Sequence, residues 1–397
     1  MRSWCSMISM VVIAIVAGLG WSAVAAAQVE FKLTASDAAA ADLFGQSVSI
    51  DGDYAIVGAN GNDDGGTSSG SAYIFKRSGT TWSQQAKLTA SDAAQNDDFG
   101  TSVSISGDYA IVGAHANDDG GSYSGSAYIF VRSGTNWTEQ AKLTASDAAA
   151  SDYFGYSVSI DGDYAIVGAH ANDDGGSDSG SAYIFVRSGT NWTQQTKLTA
   201  LDGGVGDAFG YSVSIAGDYA IVGAYLDEDP GFLTGSAYIF TRSGESWSEQ
   251  SKLTASDGSV RFGYSVSIAG DHAIVGAYRD DDAGSYSGSA YIFVRSGTTW
   301  TEQDKLTASD AAQGDLFGTS VSIAGDHAIV GAVSNDDDGE ASGSAYVYYA
   351  IPAVTLSLGT AFGAPANAVS IPATMTNLNT GRPVGGLQFA VLLADTV

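Results

Sequence analysis

The sequence predicts an all-β protein whose main domain is a six-bladed β-propeller of four-stranded antiparallel blades. Between residues 44 and 318 the pair Phe-Gly occurs six times, at intervals of 55, 55, 55, 53 and 55 residues. A fixed period of this size indicates a propeller or a solenoid. Each period contains four strand-like runs, which is the strand content of one propeller blade. No segment has a sustained 3.6-residue apolar period, which argues against helices. The six phenylalanines are Phe44, Phe99, Phe154, Phe209, Phe262 and Phe317.

The first repeat shows why each run is expected to be a strand. Residues 46–50 alternate between polar and apolar side chains, and Asp51-Gly52 then suits a two-residue hairpin turn. Residues 54–59 are continuously apolar, as expected of a strand buried on both faces. Residues 70–75 and 82–89 form the third and fourth runs. Together they predict an antiparallel meander.

The count of fourth strands predicts how the ring closes. This run ends in Lys-Leu-Thr and occurs six times, but its first copy precedes the first Phe-Gly. No copy follows the last repeat. We therefore expect a strand at residues 31–34 to complete the last blade, because closure removes exposed sheet edges. The propeller is expected to span residues 28–350.

The N-terminus has the layout of a secretory signal peptide. Arg2 is the only charged residue among the first 29, an apolar run follows over residues 8–19, and residues 25–27 are alanines. This pattern predicts cleavage after Ala27. The apolar run is shorter than the roughly 20 residues that a membrane span needs, so no span is expected after cleavage. We expect a secreted or cell-surface protein. The only cysteine is Cys5, so the mature chain would have no disulfide.

The charge balance limits the classes of partner. The chain has 44 acidic and 16 basic residues, a formal net charge of −28. Nucleic-acid binding needs clustered Lys and Arg to neutralise phosphates, so that class is excluded. An acidic surface instead favours a cation or a basic partner.

Acidic loops are the candidate calcium ligands. In a four-stranded meander, the loop between the second and third strands emerges on the same side as the loop between blades. Calcium takes six to eight oxygen ligands, which Asp- and Asn-rich loops can supply. The alternative is that these acidic turns only keep a β-rich protein soluble. The candidate residues are Asp63, Asp64, Asp118, Asp119, Asp173, Asp174, Asp280, Asp281, Asp282, Asp336, Asp337 and Asp338.

The fourth repeat departs from the others. Its loop places Phe232 and Leu233 beside Asp227 and Asp229, so apolar side chains stand on an otherwise polar loop. An exposed apolar patch often marks a contact surface, which makes these four residues the candidate partner site. Neutral drift is the alternative.

An enzymatic function has little support in the sequence. The four histidines form no arrangement of nucleophile and base. Almost every polar residue repeats in register, whereas an active site needs a unique group. The alternative function is an extracellular propeller hydrolase, in which two carboxylates near the central opening act as a glycosidase pair.

The repeat resembles a known family. Phe44-Gly45 followed by the Ile-Val-Gly-Ala of residues 56–59 is similar to the FG-GAP repeat of integrin α-subunit propellers. The Lys-Leu-Thr-Ala-Ser-Asp and Gly-Ser-Ala-Tyr-Ile-Phe segments look closest to the bacterial form of that repeat, over residues 29–349. The resemblance implies a propeller, often seven-bladed, that serves extracellular adhesion and often binds calcium. The integrin calcium loop cannot fit between the first two strands here, because a tight turn joins them.

The tail follows a different pattern. From residue 351 the repeat ends, and prolines appear at positions 352, 365, 372 and 383. Residues 351–397 resemble the opening of a cohesin-like β-sandwich, which implies an incomplete second module. We therefore expect a secreted or cell-surface binding and adhesion propeller. It would present an acidic loop face to an extracellular protein or glycan partner, with calcium as its candidate cofactor.

Overall fold

The computed structural model describes residues 31–228, 234–336 and 342–349. All regular structure in these residues is β, in 23 strands that form six blades. Among them no helix is long and apolar enough to cross a membrane. The predicted signal peptide of residues 1–27 and the predicted cohesin-like module of residues 351–397 lie outside the described residues.

The strands follow the repeat. Blade one contains β1 (Val48–Asp51), β2 (Tyr54–Ala59), β3 (Ser71–Ser78) and β4 (Thr81–Leu88). Blade two contains β5 (Ser102–Ser106), β6 (Tyr109–Ala114), β7 (Ser126–Ser133) and β8 (Asn136–Leu143). Blade three contains β9 (Ser157–Asp161), β10 (Tyr164–Ala169), β11 (Ser181–Ser188) and β12 (Asn191–Leu198). Blade four contains β13 (Ser212–Ala216), β14 (Tyr219–Ala224), β15 (Ser236–Ser243) and β16 (Ser246–Leu253). Blade five contains β17 (Phe262–Ala269), β18 (His272–Ala277), β19 (Ser289–Ser296) and β20 (Thr299–Leu306). Blade six contains β21 (Phe317–Ala324), β22 (His327–Ala332) and β23 (Ser344–Tyr349).

Each blade is an antiparallel meander whose strands pair in chain order. The predicted hairpin joins β1 to β2, with Asp51 paired to Tyr54, and Gly52 adopts a φ of 56° that suits this tight turn. Strand β2 is buried on both faces, as its apolar sequence predicts. The all-β, six-bladed propeller of antiparallel blades is therefore confirmed.

Apolar cores lie between successive blades, at five interfaces in the described residues. At the interface of blades two and three, Phe154 is fully buried and packs edge-on against Tyr183, with ring centroids 5.5 Å apart. The backbones approach so closely that a Cβ on Gly113 would lie 1.9 Å from the carbonyl oxygen of Gly155. Glycine at this position therefore fixes the spacing between blades.

The outer strands of neighbouring blades are joined by tryptophan. Trp192 packs against Tyr109 of the preceding blade, and its Nε1 donates a hydrogen bond of 3.0 Å to Oε1 of Gln140. Arg187 lies over the same Tyr109 ring and pairs with Asp163. The repeated tryptophans and arginines are thus parts of the framework, since they hold adjacent blades at their outer edge.

The closing strand is not present in the described residues, and this corrects one part of the predicted fold. Residues 31–35 form no strand, and the sixth sheet has three strands, in the order β21-β22-β23. The other fourth strands follow their third strand through a two-residue turn, as β4 follows β3. The N-terminal copy has no such turn and would have to pair across the whole chain, which costs loop-closure entropy.

Candidate functional site

The two families of long loops share one end of the blades, which we call the loop face. The amide of Asn96, in the loop between blades, donates a 2.8 Å hydrogen bond to the carbonyl oxygen of Thr67, in the loop between β2 and β3. The amide of Asp98 donates in the same way to Ser68, at 3.0 Å. The predicted convergence of these loops is thereby confirmed.

A lysine holds the acidic loops of each of the first five blades together. In blade two, Nζ of Lys142 donates to Asp92 of the loop between blades at 2.6 Å. It also donates to Asn117 at 3.2 Å and to Asp119, both in the loop between β6 and β7. We call each such group a lysine cluster. The other four are centred on Lys87, Lys197, Lys252 and Lys305.

The lysine clusters keep their charges. Burial alone would raise the pKa of Asp92, but hydrogen bonds from Lys142 and Tyr128 lower it below its usual value. Burial opposes the charge on Lys142, yet its two carboxylate partners raise its pKa. The cluster is therefore an ammonium between carboxylates, which partly neutralises the acidic loops from within.

The predicted calcium ligands fall into three environments. One set accepts a backbone hydrogen bond inside its own loop, and Asp118 shows the pattern, with the Tyr123 amide 2.8 Å from Oδ1. A second set binds the lysine of its blade. Asp280 belongs to this second set, since it is buried and accepts hydrogen bonds from Tyr291 and Lys305. The third environment is solvent, to which Asp336 is exposed. The first set is Asp63, Asp118, Asp173 and Asp281, and the second is Asp64, Asp119, Asp174, Asp280 and Asp282. Asp337 and Asp338 lie outside the described residues.

One of these groups has the spacing of a cation site. Carboxylate oxygens of Asp257, Asp280 and Asp282 lie within 4.8 Å of one another. Nζ of Lys305 pairs with all three carboxylates. A calcium ion at this position would therefore have to displace the lysine ammonium.

The candidate partner site of the fourth repeat is only partly described. Asp227 is 4% exposed, and its Oδ2 accepts hydrogen bonds from Tyr238 at 2.7 Å and from Lys252 at 2.9 Å. It therefore belongs to the lysine cluster of blade four and offers no free surface. Asp229, Phe232 and Leu233 lie outside the described residues.

The structure brings together a group that the sequence analysis did not single out. Two positions of each repeat lie at the loop-face ends of the first and second strands. One follows the Phe-Gly pair and the other follows Gly-Ala. In blades two to five these positions form a continuous series of rings, which we call the inner aromatic row. Its members are His115, Tyr156, His170, Tyr211, Tyr225, Tyr264 and Tyr278.

The rings of the inner aromatic row touch from blade to blade. Tyr156 lies 4.5 Å from His170 and 4.9 Å from Tyr211 between ring centroids, and the two tyrosine hydroxyls are 3.0 Å apart. Tyr211 lies 5.0 Å from Tyr264, which lies 4.2 Å from Tyr278. These are contact distances for aromatic pairs, so the row forms one connected surface.

The inner aromatic row is uncharged at neutral pH. Burial lowers the pKa of His115 and of His170 to about 4, so both imidazoles are neutral. Burial also raises the pKa of Tyr156. In the described residues, Nδ1 of each histidine is buried without a hydrogen-bond partner. The row thus offers ring faces, whereas both Nδ1 atoms are buried.

Polar groups flank the row at both ends. Oδ2 of Asp98 lies 3.8 Å from Nε2 of His115, and burial raises the pKa of Asp98. At the other end, the guanidinium of Arg261 lies 5.4 Å from the centre of the Tyr225 ring, and Arg279 lies 5.3 Å from that of Tyr278.

The sequence held a signal for this row. Aligned by repeat, the residue after Phe-Gly is Gln46, Thr101, Tyr156, Tyr211, Tyr264 and Thr319. The residue after Gly-Ala is Asn60, His115, His170, Tyr225, Tyr278 and Val333. Both columns become aromatic in successive repeats, whereas the framework positions hardly vary. The row can therefore be predicted when equivalent positions of the six repeats are compared, whereas each loop taken alone shows only its acidic residues.

The chain matches a known protein family. A family model described as FG-GAP repeat matches residues 28–75, 82–130, 137–185, 192–240, 247–293 and 300–348. The six matched segments correspond to the six repeats and cover more than half of the chain. No curated protein sequence matches it.

Proposed function

The chain belongs to the FG-GAP repeat family, and we propose that it is an extracellular binding propeller whose contact surface is the inner aromatic row. The observation that carries this proposal is the row itself. Most of the molecule repeats from blade to blade, so one partner would find several equivalent sites there. The inner aromatic row occurs once and spans neighbouring blades, which suits a single specific ligand.

The chemistry of the row favours a glycan partner. Sugar rings present flat C–H faces that stack on aromatic rings, and their hydroxyls need hydrogen-bond partners. The row supplies the ring faces, since Tyr211 and Tyr264 are half-buried, and the half-buried Asp98 and Arg279 at its ends supply polar groups. Binding sites commonly combine aromatic walls with a few polar atoms in this way. The neutral row also matches an uncharged sugar better than a charged peptide.

A hydrolase receives less support at this position. A glycosidase of the usual kind needs two carboxyl groups on either side of the scissile bond. Three repeat positions are compared here: the residue before Phe-Gly and the two positions of the row. Over all six repeats, Asp98 is the only acidic residue at these positions. The surface is therefore equipped to hold a sugar and not to cleave it.

Titration with a panel of soluble oligosaccharides tests this proposal by calorimetry. For any sugar that binds, Tyr211→Ala should weaken the affinity by about ten-fold or more, the equivalent of roughly 1.4 kcal/mol. The matched control is Trp82→Ala, which removes a half-buried aromatic ring from the outer hairpin of blade one. An affinity that survives Tyr211→Ala but falls with Trp82→Ala would move the site to the outer edge. If no sugar binds, the glycan assignment is wrong.

Calcium binding by the acidic loops remains a proposal, and the Lys305 cluster is its sharpest test. If calcium competes with the ammonium, Lys305→Met should leave three carboxylates for the ion and strengthen the rise in melting temperature with millimolar calcium. Magnesium should do less, because it demands stricter geometry. Lys142→Met is the control, because Lys142 pairs with two carboxylates, those of Asp92 and Asp119. Equal responses to calcium, magnesium and sodium chloride would show charge screening alone.

A further inference from the structure

We propose that Arg261 and Arg279 form an anion-binding subsite at the blade-five end of the inner aromatic row, which takes the carboxylate or sulfate group of an acidic saccharide. We call these two residues the arginine pair. The saccharide part of this inference rests on the proposed function, whereas the arginine pair itself can be tested with a simple anion.

The arginine pair differs from almost every other cation of the chain. Within the described ranges, each remaining lysine and arginine except Lys32 pairs with an aspartate, either in a lysine cluster or at an outer hairpin. Arg261 and Arg279 have no such partner among the described residues, although the formal net charge of the chain is −28. Their charges are therefore left for a ligand to balance.

The acidic residues that follow Arg279 in the chain are engaged elsewhere. Asp280 and Asp282 pair with Lys305 in the lysine cluster of blade five. Asp281 accepts a backbone amide of its own loop at 2.7 Å. None of these three carboxylates therefore serves as the counter-ion of the arginine.

The loop before blade five also exchanges a negative charge for a positive one. In the other five repeats a buried aspartate stands two residues before the Phe-Gly phenylalanine, whereas the fifth repeat has Val260 there and Arg261 next to it. The five aspartates are Asp42, Asp97, Asp152, Asp207 and Asp315. The loop face thus has a local site of positive charge at blade five.

The backbone at Arg261 favours the display of a side chain. The residue before Phe-Gly adopts a φ between 55° and 65° in all six repeats, a region that suits glycine, yet no repeat has glycine there. The other five residues at this position are Leu43, Asp98, Tyr153, Ala208 and Leu316. Because these side chains vary while the framework hardly does, the position is suited to recognition.

Both arginines lie along the same three rings. Tyr264 contacts Tyr225 and Tyr278, with ring centroids 5.4 and 4.2 Å apart. The guanidinium of Arg261 lies 5.4 Å from the centre of the Tyr225 ring, and that of Arg279 lies 5.3 Å from the centre of the Tyr278 ring. Burial raises the pKa of Tyr278, and the charges of Arg279 and Arg261 both oppose this rise. One ligand that covers these rings can therefore reach both arginines.

The guanidinium of Arg261 is partly removed from water. Its Nε and Nη1 are buried and have no hydrogen-bond partner in the described part of the chain, which leaves Nη2 to meet a ligand. A charge that has lost water without gaining a counter-ion is unfavourable. An anion at Nη2 would supply that counter-ion, and the interaction is stronger where water is excluded.

The chemistry of the two ends of this surface defines the ligand. Guanidinium groups donate paired hydrogen bonds that match the oxygens of a carboxylate or a sulfate. The rings beside them are uncharged and suit the C–H face of a sugar. A saccharide with a uronate or a sulfate ester at one end combines both features, with its neutral part over the earlier blades.

A simple anion tests the arginine pair without any sugar. Titration with sodium sulfate should raise the melting temperature more than sodium chloride of equal ionic strength, because an anion bound to the folded chain stabilises it. We expect this excess to be about 1–2 °C larger in the wild-type chain than in Arg261→Ala/Arg279→Ser. Both replacements occur at the same positions of other repeats, as Ala208 and Ser334, so the fold should be kept.

The matched control for this titration is Lys76→Gln/Arg77→Gln. It removes the same charge from the outer hairpin of blade one, where both side chains pair with Asp53, and should keep the wild-type excess. If the excess in Arg261→Ala/Arg279→Ser equals that of the wild-type chain, the proposal is overturned.

Matched oligosaccharides then test the sugar by calorimetry. Each pair shares a backbone and differs in its acidic group, such as an oligogalacturonide with its methyl ester and a dextran oligosaccharide with its sulfate ester. We expect the acidic member of one pair to bind about ten-fold more tightly than the neutral member. Arg261→Ala/Arg279→Ser should remove this preference and leave the affinity for the neutral member within about two-fold.

The outcomes separate this inference from the proposed function. Binding of the neutral and acidic members with equal affinity, or a preference that survives in Arg261→Ala/Arg279→Ser, overturns the role of the arginine pair and leaves the glycan surface in place. If no sugar binds while the sulfate effect is present, the glycan assignment is wrong and the anion site remains. Binding of tetraglutamate more tightly than any acidic sugar would overturn the saccharide part in favour of an acidic peptide.

Discussion

The second and sixth blades have nearly the same sequence in different surroundings. Strands β6 and β22 differ only at their first residue, Tyr109 against His327, yet Ile111 is fully buried and Ile329 is 44% exposed. The difference arises because blade two has a neighbour on each side. Burial in this molecule is therefore a property of the interface between two blades, as in other repeat proteins whose stability is largely a sum over nearest neighbours.

Removing a phenylalanine from the Phe-Gly pair should have the largest effect. Phe154→Ala empties a site that is fully buried between blades, and we expect a loss of about 4 kcal/mol in the free energy of unfolding. Phe44→Ala is the matched change in blade one, where the ring is only half-buried, and it should cost clearly less. Urea unfolding of dilute, single chains measures both. Equal losses would mean that packing against blade two adds nothing to the stability that the Phe154 ring provides.

A methyl group at the glycine of close approach should have the next largest effect. Gly113→Ala places a Cβ 1.9 Å from the backbone oxygen of Gly155, so the blades must separate, at a cost of about 2 to 3 kcal/mol. In Gly331→Ala the nearest atom is Oγ of the exposed Ser320, at 2.4 Å, and this side chain can rotate away. The same unfolding measurement should show a smaller loss. A larger loss for Gly331→Ala would contradict the comparison.

His115 and His170, in blades two and three, should have a smaller effect on stability, and this effect depends on pH. The pKa of His115 and of His170 is about 4 in the folded chain, below the ordinary 6.5 expected when it unfolds. The unfolded chain therefore takes up protons first, and stability is lost as the pH falls from 6.5 towards 4. The slope is at most about 1.4 kcal/mol per pH unit for each proton.

The double variant His115→Gln/His170→Gln should flatten this dependence between pH 7 and pH 5. Blade six carries Val333 at the same repeat position, and this side chain has no ionisable group. Asn60→Gln, at the same repeat position in blade one, is the control and should keep the wild-type slope. If the double variant keeps the wild-type slope, the buried imidazoles are not the source of the pH dependence.

The strands could be predicted closely from the sequence, because their signals are local. Tyr54–Ala59 was predicted from its continuous apolar character and is observed with the same bounds. The fourth run was predicted at residues 82–89 and observed at Thr81–Leu88. Alternation, a tight turn and a fixed period each report on a few adjacent residues or on a simple repeat, so no tertiary information was needed.

The closing strand and the inner aromatic row depend on distant contacts. Residues 31–34 have the right sequence for a fourth strand, but pairing depends on a partner, β23 (Ser344–Tyr349), that lies more than 300 residues further along the chain. Tyr156 and Tyr211 are 55 positions apart, and only the stacking of blades brings their hydroxyls together. The acidic residues of the loops could be identified from the sequence, but their surroundings could not. The lysine that binds Asp92 and Asp119 comes from the fourth strand, which is distant from both loops in the sequence.

The lysine clusters also bear on how such a chain can lengthen. Lys142 and its three partners, Asp92, Asn117 and Asp119, all lie within one 55-residue period of the sequence. A duplicated gene segment of that length would carry both the carboxylates and the ammonium that balances them. Unequal recombination could therefore add or delete whole blades without leaving an unpaired buried charge at the new junction. The near-identity of the repeats is what such an exchange would produce.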